Sequence, residues 1–184
     1  MTRFYIAVAI LLYCGFHPTF GIVRLTNNGY EGVVIAISDS VNENQFPDLP
    51  DQIQRTFNES SSKLYTAFRR RAYFRHITIV IPESWKNNAK YQPATKQSYH
   101  TADIRIDHTK SSMNERCTDA ATVTTIGGYQ CGDPNDYILV SPNSFCNTYE
   151  SKFLAKNLVR QWARYRYGIY DEEGKNRVLT YRSK

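Results

Sequence analysis

The side chains most able to do chemistry in this sequence are four histidines, four cysteines and a polar stretch near its end. A metal centre built on histidines needs at least one close helical or loop pair. His76, His100 and His108 are far apart in sequence, and His17 lies in the N-terminal apolar stretch. They read as solvated or strand-end histidines. No glycine loop for phosphate, no G-x-S-x-G nucleophile turn and no paired C-x-x-C knuckles occur, and Gly127-Gly128 reads as a turn. The polar stretch, Leu158 to Glu172, is different. Arg160 and Arg164 are four residues apart and so share one helix face, with Gln161 beside them. Gly168 can close that helix, and Asp171 follows in the turn.

The cysteines read through the compartment they reach. Arg3, the apolar run Phe4–Phe16 and Thr19-Phe20-Gly21 have the charge, core and small-residue pattern of a signal peptide over residues 1–21. The mature chain then begins near Ile22 and is expected to be secreted, extracellular and oxidised. Cys14 leaves with the signal. Cys117, Cys131 and Cys146 remain, so one disulfide is expected among three possible pairs, with one thiol left over. Asn58-Glu59-Ser60 is a glycosylation sequon suited to an exposed surface in the same pathway.

Composition narrows the partners. At 184 residues and 41% hydrophobic, the chain can bury one domain core and is too apolar to be disordered. No stretch reaches the roughly 20 apolar residues of a membrane span. A net charge of +6 permits a polyanion partner, yet the basic residues are scattered, with Arg69-Arg70-Arg71 the densest run. Nucleic acid is not expected; an extracellular protein is.

Several elements must position these residues. Ile22–Leu25 reads as a short strand, Asn27-Asn28-Gly29 as a turn, and Val33–Ile37 as a strand buried on both faces. Asp51–Arg71 has helical spacing, with Ile53, Phe57, Leu64, Ala67 and Phe68 inward and a kink or break expected at Ser60–Ser62. His76–Ile81 is a second β run, stopped by Pro82. Ala102–Ile106 alternates, which predicts a half-exposed or edge strand. Residues 107–136 read as an irregular loop, Tyr137–Val140 as a strand, and Phe153–Tyr167 as a helix with Leu154, Leu158 and Trp162 on its inner stripe. The sum is one mixed α/β or α+β domain, with helices on a sheet.

Leu158-Val159-Arg160-Gln161-Trp162-Ala163-Arg164-Tyr165-Arg166-Tyr167-Gly168-Ile169-Tyr170-Asp171-Glu172 resembles the zinc-binding helix of the calcium-activated chloride channel regulator family, H-E-W-A-H-L-R-W-G-V-F-D-E. Leu25–Ile37, Phe68–Phe74, Ile77–Pro82 with Trp85, Ala102–Ile104, Cys131-Gly132 and Tyr137–Pro142 resemble further family blocks in the same order, over residues 22 to 173. The resemblance implies a zincin-like metalloprotease fold. In the family two helical histidines and a later acid hold zinc, and a glutamate is the general base for metal-bound water.

Here the reacting positions differ. Arg160 and Arg164 stand at the two histidine positions and Gln161 at the general base, while Asp171 keeps the third-ligand position. Guanidinium has no lone pair for a metal, and an amide cannot take a proton from water. No catalytic residue and no zinc are therefore expected, and no single change restores the set. The expected reading is a secreted pseudoenzyme that acts by binding protein, modulating chloride conductance or serving as a decoy in proteolysis. A salt bridge from Asp171 to Arg160 and Arg164 is expected in place of the metal; the competing reading leaves both arginines in solvent. An active extracellular zinc metalloprotease with an atypical site and a basic glycan-binding module are the alternatives. Family members continue into a von Willebrand factor A domain, whereas this sequence stops at Lys184, as a short paralogue or incomplete gene model would.

Overall fold

A computed structural model describes residues 23–85, 91, 92, 94, 96–108, 122–128, 132–146 and 151–169. The proposed signal peptide, Cys117, Cys131 and Asp171 lie outside the described residues.

Among the described residues, the strands and α-helices follow in the order β1 (Arg24–Thr26), β2 (Gly29–Glu31), β3 (Val33–Ile37), α1 (Leu49–Ala67), β4 (Tyr73–Phe74), β5 (Ile77–Val80), β6 (Ile104–Ile106), β7 (Val123–Gly127), β8 (Asn135–Val140) and α2 (Ser151–Tyr167). The main sheet has the strand order β5-β3-β6-β8-β7. Its first four members are parallel, and β7 runs antiparallel along β8 as an edge. A smaller sheet, β1-β2-β4, lies beside it in the chain path, and Gly32 at φ 77° turns the backbone from β2 into β3. The expected mixed α/β architecture is observed.

The pattern of β3 explains its place. All five of its residues are buried, because Val33, Ile35 and Ile37 face the helices while Val34 and Ala36 face a smaller cluster with Ala102, Val80 and Tyr99. Both helices join the first cluster: Leu49, Ile53, Phe57 and Leu64 from α1, and Leu154, Leu158 and Trp162 from α2. Trp162 is fully buried and meets Tyr30 and Phe74 edge-on, at centroid distances of 5.2 and 4.9 Å. Burying such a ring stabilises the fold by several times thermal energy, since its area and its edge-to-face contacts both contribute.

Several expectations are corrected. The alternating strand β6 is not an edge but sits between β3 and β8. Its polar residue, Arg105, is tolerated because the guanidinium stacks 3.8 Å from the Tyr137 ring centroid and donates from Nη2 to the His100 carbonyl at 2.7 Å. The stretch read as one loop contains β7, a β-branched run, Val123-Thr124-Thr125-Ile126, that pairs with β8. Helix α1 is continuous through Ser60–Ser62, where the Ser60 and Ser62 hydroxyls are satisfied by carbonyls one turn back, at Thr56 and Asn58. It begins two residues earlier than expected, with proline in its first turn, and it ends at Ala67, so Arg69–Arg71 are not helical. Ala67 is exposed rather than inward.

Candidate functional site

Helix α2 is placed by its apolar stripe and held by a polar anchor. The Asp103 carboxylate, buried at the entry to β6, accepts from the Val34 N–H at 2.8 Å and from the Tyr165 hydroxyl at 2.6 Å. This one side chain joins β3, β6 and α2. Burial raises the Asp103 carboxyl above its ordinary value, although the Tyr165 and Val34 hydrogen bonds pull the other way. Tyr165 is raised too, by burial first and then by the Asp103 charge. A second polar tie closes the other side of the helix: the Tyr30 and Tyr167 hydroxyls share a hydrogen bond at 2.5 Å. Sequence reasoning missed both ties, since neither pair has a local motif.

The anchored helix presents the three substituted positions differently. Arg160 is exposed and Arg164 is half-buried. Gln161 is buried, 6% exposed, and its Oε1 accepts from the Thr125 hydroxyl at 2.5 Å. The partner comes from β7, the strand that reading the region as a loop concealed. A small open cavity of about 100 Å³ lies between α2 and the β7–β8 hairpin, with Thr125, Asp133, Asn135 and Arg164 on its wall. Asn135 donates from Nδ2 to the Arg164 carbonyl at 2.9 Å, fixing the hairpin to the last turn of the helix.

Gly168 ends the helix. Its N–H donates to the Arg164 carbonyl at 2.9 Å, and its φ of 59° is the left-handed conformation expected of a closing glycine. A Cβ here would lie 2.5 Å from the Asp133 carbonyl oxygen, so the backbone of 132–133 also requires a glycine. The chain leaves toward Asp171 from this point.

The donor set at the substituted positions does not suit zinc. Two guanidinium groups repel a cation, and the oxygen of Gln161 is already taken by Thr125. Among the described residues, no three His, Cys, Asp or Glu side chains gather as a metal group. His76 precedes β5 and His108 follows β6; these strands are both parallel to β3, so the two histidines lie at opposite ends of the sheet. His100 is exposed in the short turn Tyr99–Thr101.

The remaining predicted positions are distributed over the surface. Asn58 is exposed on α1, as a sequon requires. Cys146 is disulfide-bonded and packs partly against the main core. No helix of the described residues is long and apolar enough to cross a membrane.

Comparison with known proteins gives a consistent result. The family model described as "Calcium-activated chloride channel N terminal" matches residues 23–184. Calcium-activated chloride channel regulator 1 of Bos taurus is 32% identical over 173 residues, covering 90% of this chain and 18% of the relative. Calcium-activated chloride channel regulator 4 of Homo sapiens is 29% identical over 181 residues, covering 96% and 19%. Calcium-activated chloride channel regulator 3A-1 of Mus musculus is 34% identical over 153 residues, covering 82% and 16%. The chain thus spans less than one fifth of the length of these relatives. No solved structure matches it. With a family match over nearly all of the described fold, the chain belongs to the calcium-activated chloride channel regulator family and corresponds to its N-terminal region.

Proposed function

We propose that this chain is a secreted, zincin-like domain that has lost its metal chemistry and acts by binding an extracellular protein. The observation that carries the reading is the occupancy of the α2 face. Where the family resemblance puts two histidines and a glutamate, this helix has Arg160, Arg164 and a Gln161 tied to Thr125. The scaffold around them is intact: Trp162 fills the core and Gly168 closes the helix. All three reacting positions are substituted, while Trp162, Ala163, Arg166, Gly168, Asp171 and Glu172 keep the family residue, which is the pattern of a pseudoenzyme. In this reading a salt bridge of Asp171 with Arg160 and Arg164 replaces the metal, Arg164 being half-buried on the wall of the cavity beside the helix end. The partner in this reading is an extracellular protein, and binding it modulates chloride conductance or makes the domain a decoy in proteolysis.

The test is metal analysis of the purified, exported chain, with a peptide-cleavage assay alongside. Substoichiometric zinc, no cleavage and capture of a defined extracellular protein support the proposal. One tightly held zinc per chain, with cleavage abolished by a chelator, overturns it in favour of an atypical active protease.

A further inference from the structure

We infer that the turn after α1 is a binding site for a sulfated polysaccharide. From Ser60 to Pro82 the sequence has no aspartate or glutamate, but it carries Lys63, Arg69, Arg70, Arg71, Arg75 and His76. The fold concentrates this charge further. Two of these cations are neutralised: Lys63 lies 3.5 Å from Glu59, and Arg75 lies 2.6 Å from Glu31. Arg69, Arg70 and Arg71 are exposed, and no ion pair among the described residues engages them.

The backbone makes the cluster dense. The Arg70 N–H donates to the Tyr65 carbonyl at 2.7 Å and the Arg69 N–H to the Thr66 carbonyl at 3.1 Å, the paired closure of a Schellman motif. That closure places Arg69, at φ 49°, where glycine is usual, and Arg70 follows at φ 68°. Two consecutive left-handed arginines are unfavourable for folding, and their unpaired charges repel one another. Neither cost is offset by a contact within the described residues, and strain of this kind marks positions kept for something outside the fold. The backbone N–H groups of the turn are all used internally, so an anion must be read by the guanidinium groups.

The surroundings favour a sugar polymer over a bare anion. Tyr65, 41% exposed, stands edge-on to Tyr73 at 6.3 Å, and the Arg75 guanidinium lies 5.4 Å from the Tyr73 ring centroid. Tyr65, exposed and joined through its carbonyl to the Arg70 N–H, suits a pyranose ring stacked on the aromatic, with sulfates in bidentate contact with the arginines that follow. Only the choice of a glycan over a nucleic acid rests on the secreted reading above. The metal analysis that tests that reading is independent of this site.

The experiment titrates the full exported chain with a heparin octasaccharide, its desulfated counterpart, a single-stranded oligonucleotide of equal charge and phosphatidylserine vesicles. Salt-sensitive binding that prefers the sulfated octasaccharide is expected. Arg69→Gly and Arg70→Gly each lower its affinity by about tenfold, the worth of one charge-assisted contact. The same substitutions raise Tm, because glycine accepts the left-handed backbone. Arg55→Ala, which removes an equal charge from an exposed position earlier on α1, leaves the affinity within about twofold. The inference is overturned if Arg55→Ala weakens binding as much as Arg69→Gly. It is overturned equally by binding that ignores desulfation, or that is tighter for the oligonucleotide or the vesicles.

Discussion

The hydroxyl of Thr125 donates to Oε1 of Gln161 at 2.5 Å, joining the antiparallel edge strand to the helix position where a general base is expected. The amide is therefore a structural bond between β7 and α2. Thr125→Val leaves a buried amide oxygen unsatisfied and is expected to cost about 1–3 kcal/mol in urea denaturation. A variant with Arg160→His, Gln161→Glu and Arg164→His together is expected to bind one zinc ion, and each single substitution none. Isothermal titration with zinc checks this, and binding by Arg164→His alone would contradict the account.

Trp162 fills the space among Tyr30, Phe74 and Tyr165. Trp162→Ala is expected to destabilise the fold by about 3–5 kcal/mol, and Trp162→Phe by clearly less. Equal losses in chemical denaturation would show that cavity formation is not the controlling effect.

Asp103 sets a pH dependence whose sign follows from its raised carboxyl. The folded state holds this proton more tightly than the unfolded chain does. The resulting stabilisation is complete below the unfolded carboxylate range and is lost as pH rises through the raised folded value. Stability curves of wild type and Asp103→Asn, measured across mildly acidic pH, should therefore converge or cross as pH rises. A wild-type advantage that grows with pH across that window would refute it. At neutral pH, Tyr165→Phe removes a hydrogen bond to the charged form and is expected to cost about 1.5–3 kcal/mol.

Gly168→Ala meets two obstacles at once, a φ of 59° and an approach of 2.5 Å to the Asp133 carbonyl. A loss of about 1–3 kcal/mol is expected, with the damage local to the β7–β8 hairpin and the end of α2. Hydrogen exchange should show increased rates at 132–135 and 164–168; a change spread evenly over the sheet would point to another cause.

Much of the framework was legible where burial follows simple periodicity. The inner stripe of α2, Leu154, Leu158 and Trp162, and the doubly buried β3 were both readable from residue type and spacing. Strand β6 was misjudged because Ile104-Arg105-Ile106 has the alternation of an exposed edge, while its arginine is sheltered by Tyr137, which lies some thirty residues away. Strand β7 was missed because it sits among polar residues and pairs only through β8. Arg160, Gln161 and Arg164 stand out in the sequence by their difference from the family pattern. Their actual partners were not, since the Thr125–Gln161 and Asp103–Tyr165 bonds join residues 36 and 62 positions apart.

The strand order β5-β3-β6-β8-β7 also governs how the chain reaches its fold. Strand β3 is made early, but its neighbour β6 begins at Ile104 and β8 at Asn135, and the shared core is sealed only when Trp162 arrives. An emerging chain therefore holds the apolar run Val33–Ile37 without a complete sheet until most of its length is synthesised. Folding dominated by such distant parallel pairings is slow and exposes unpaired edges. The five residues of β3 are thus the stretch whose apolar faces wait longest for cover during synthesis.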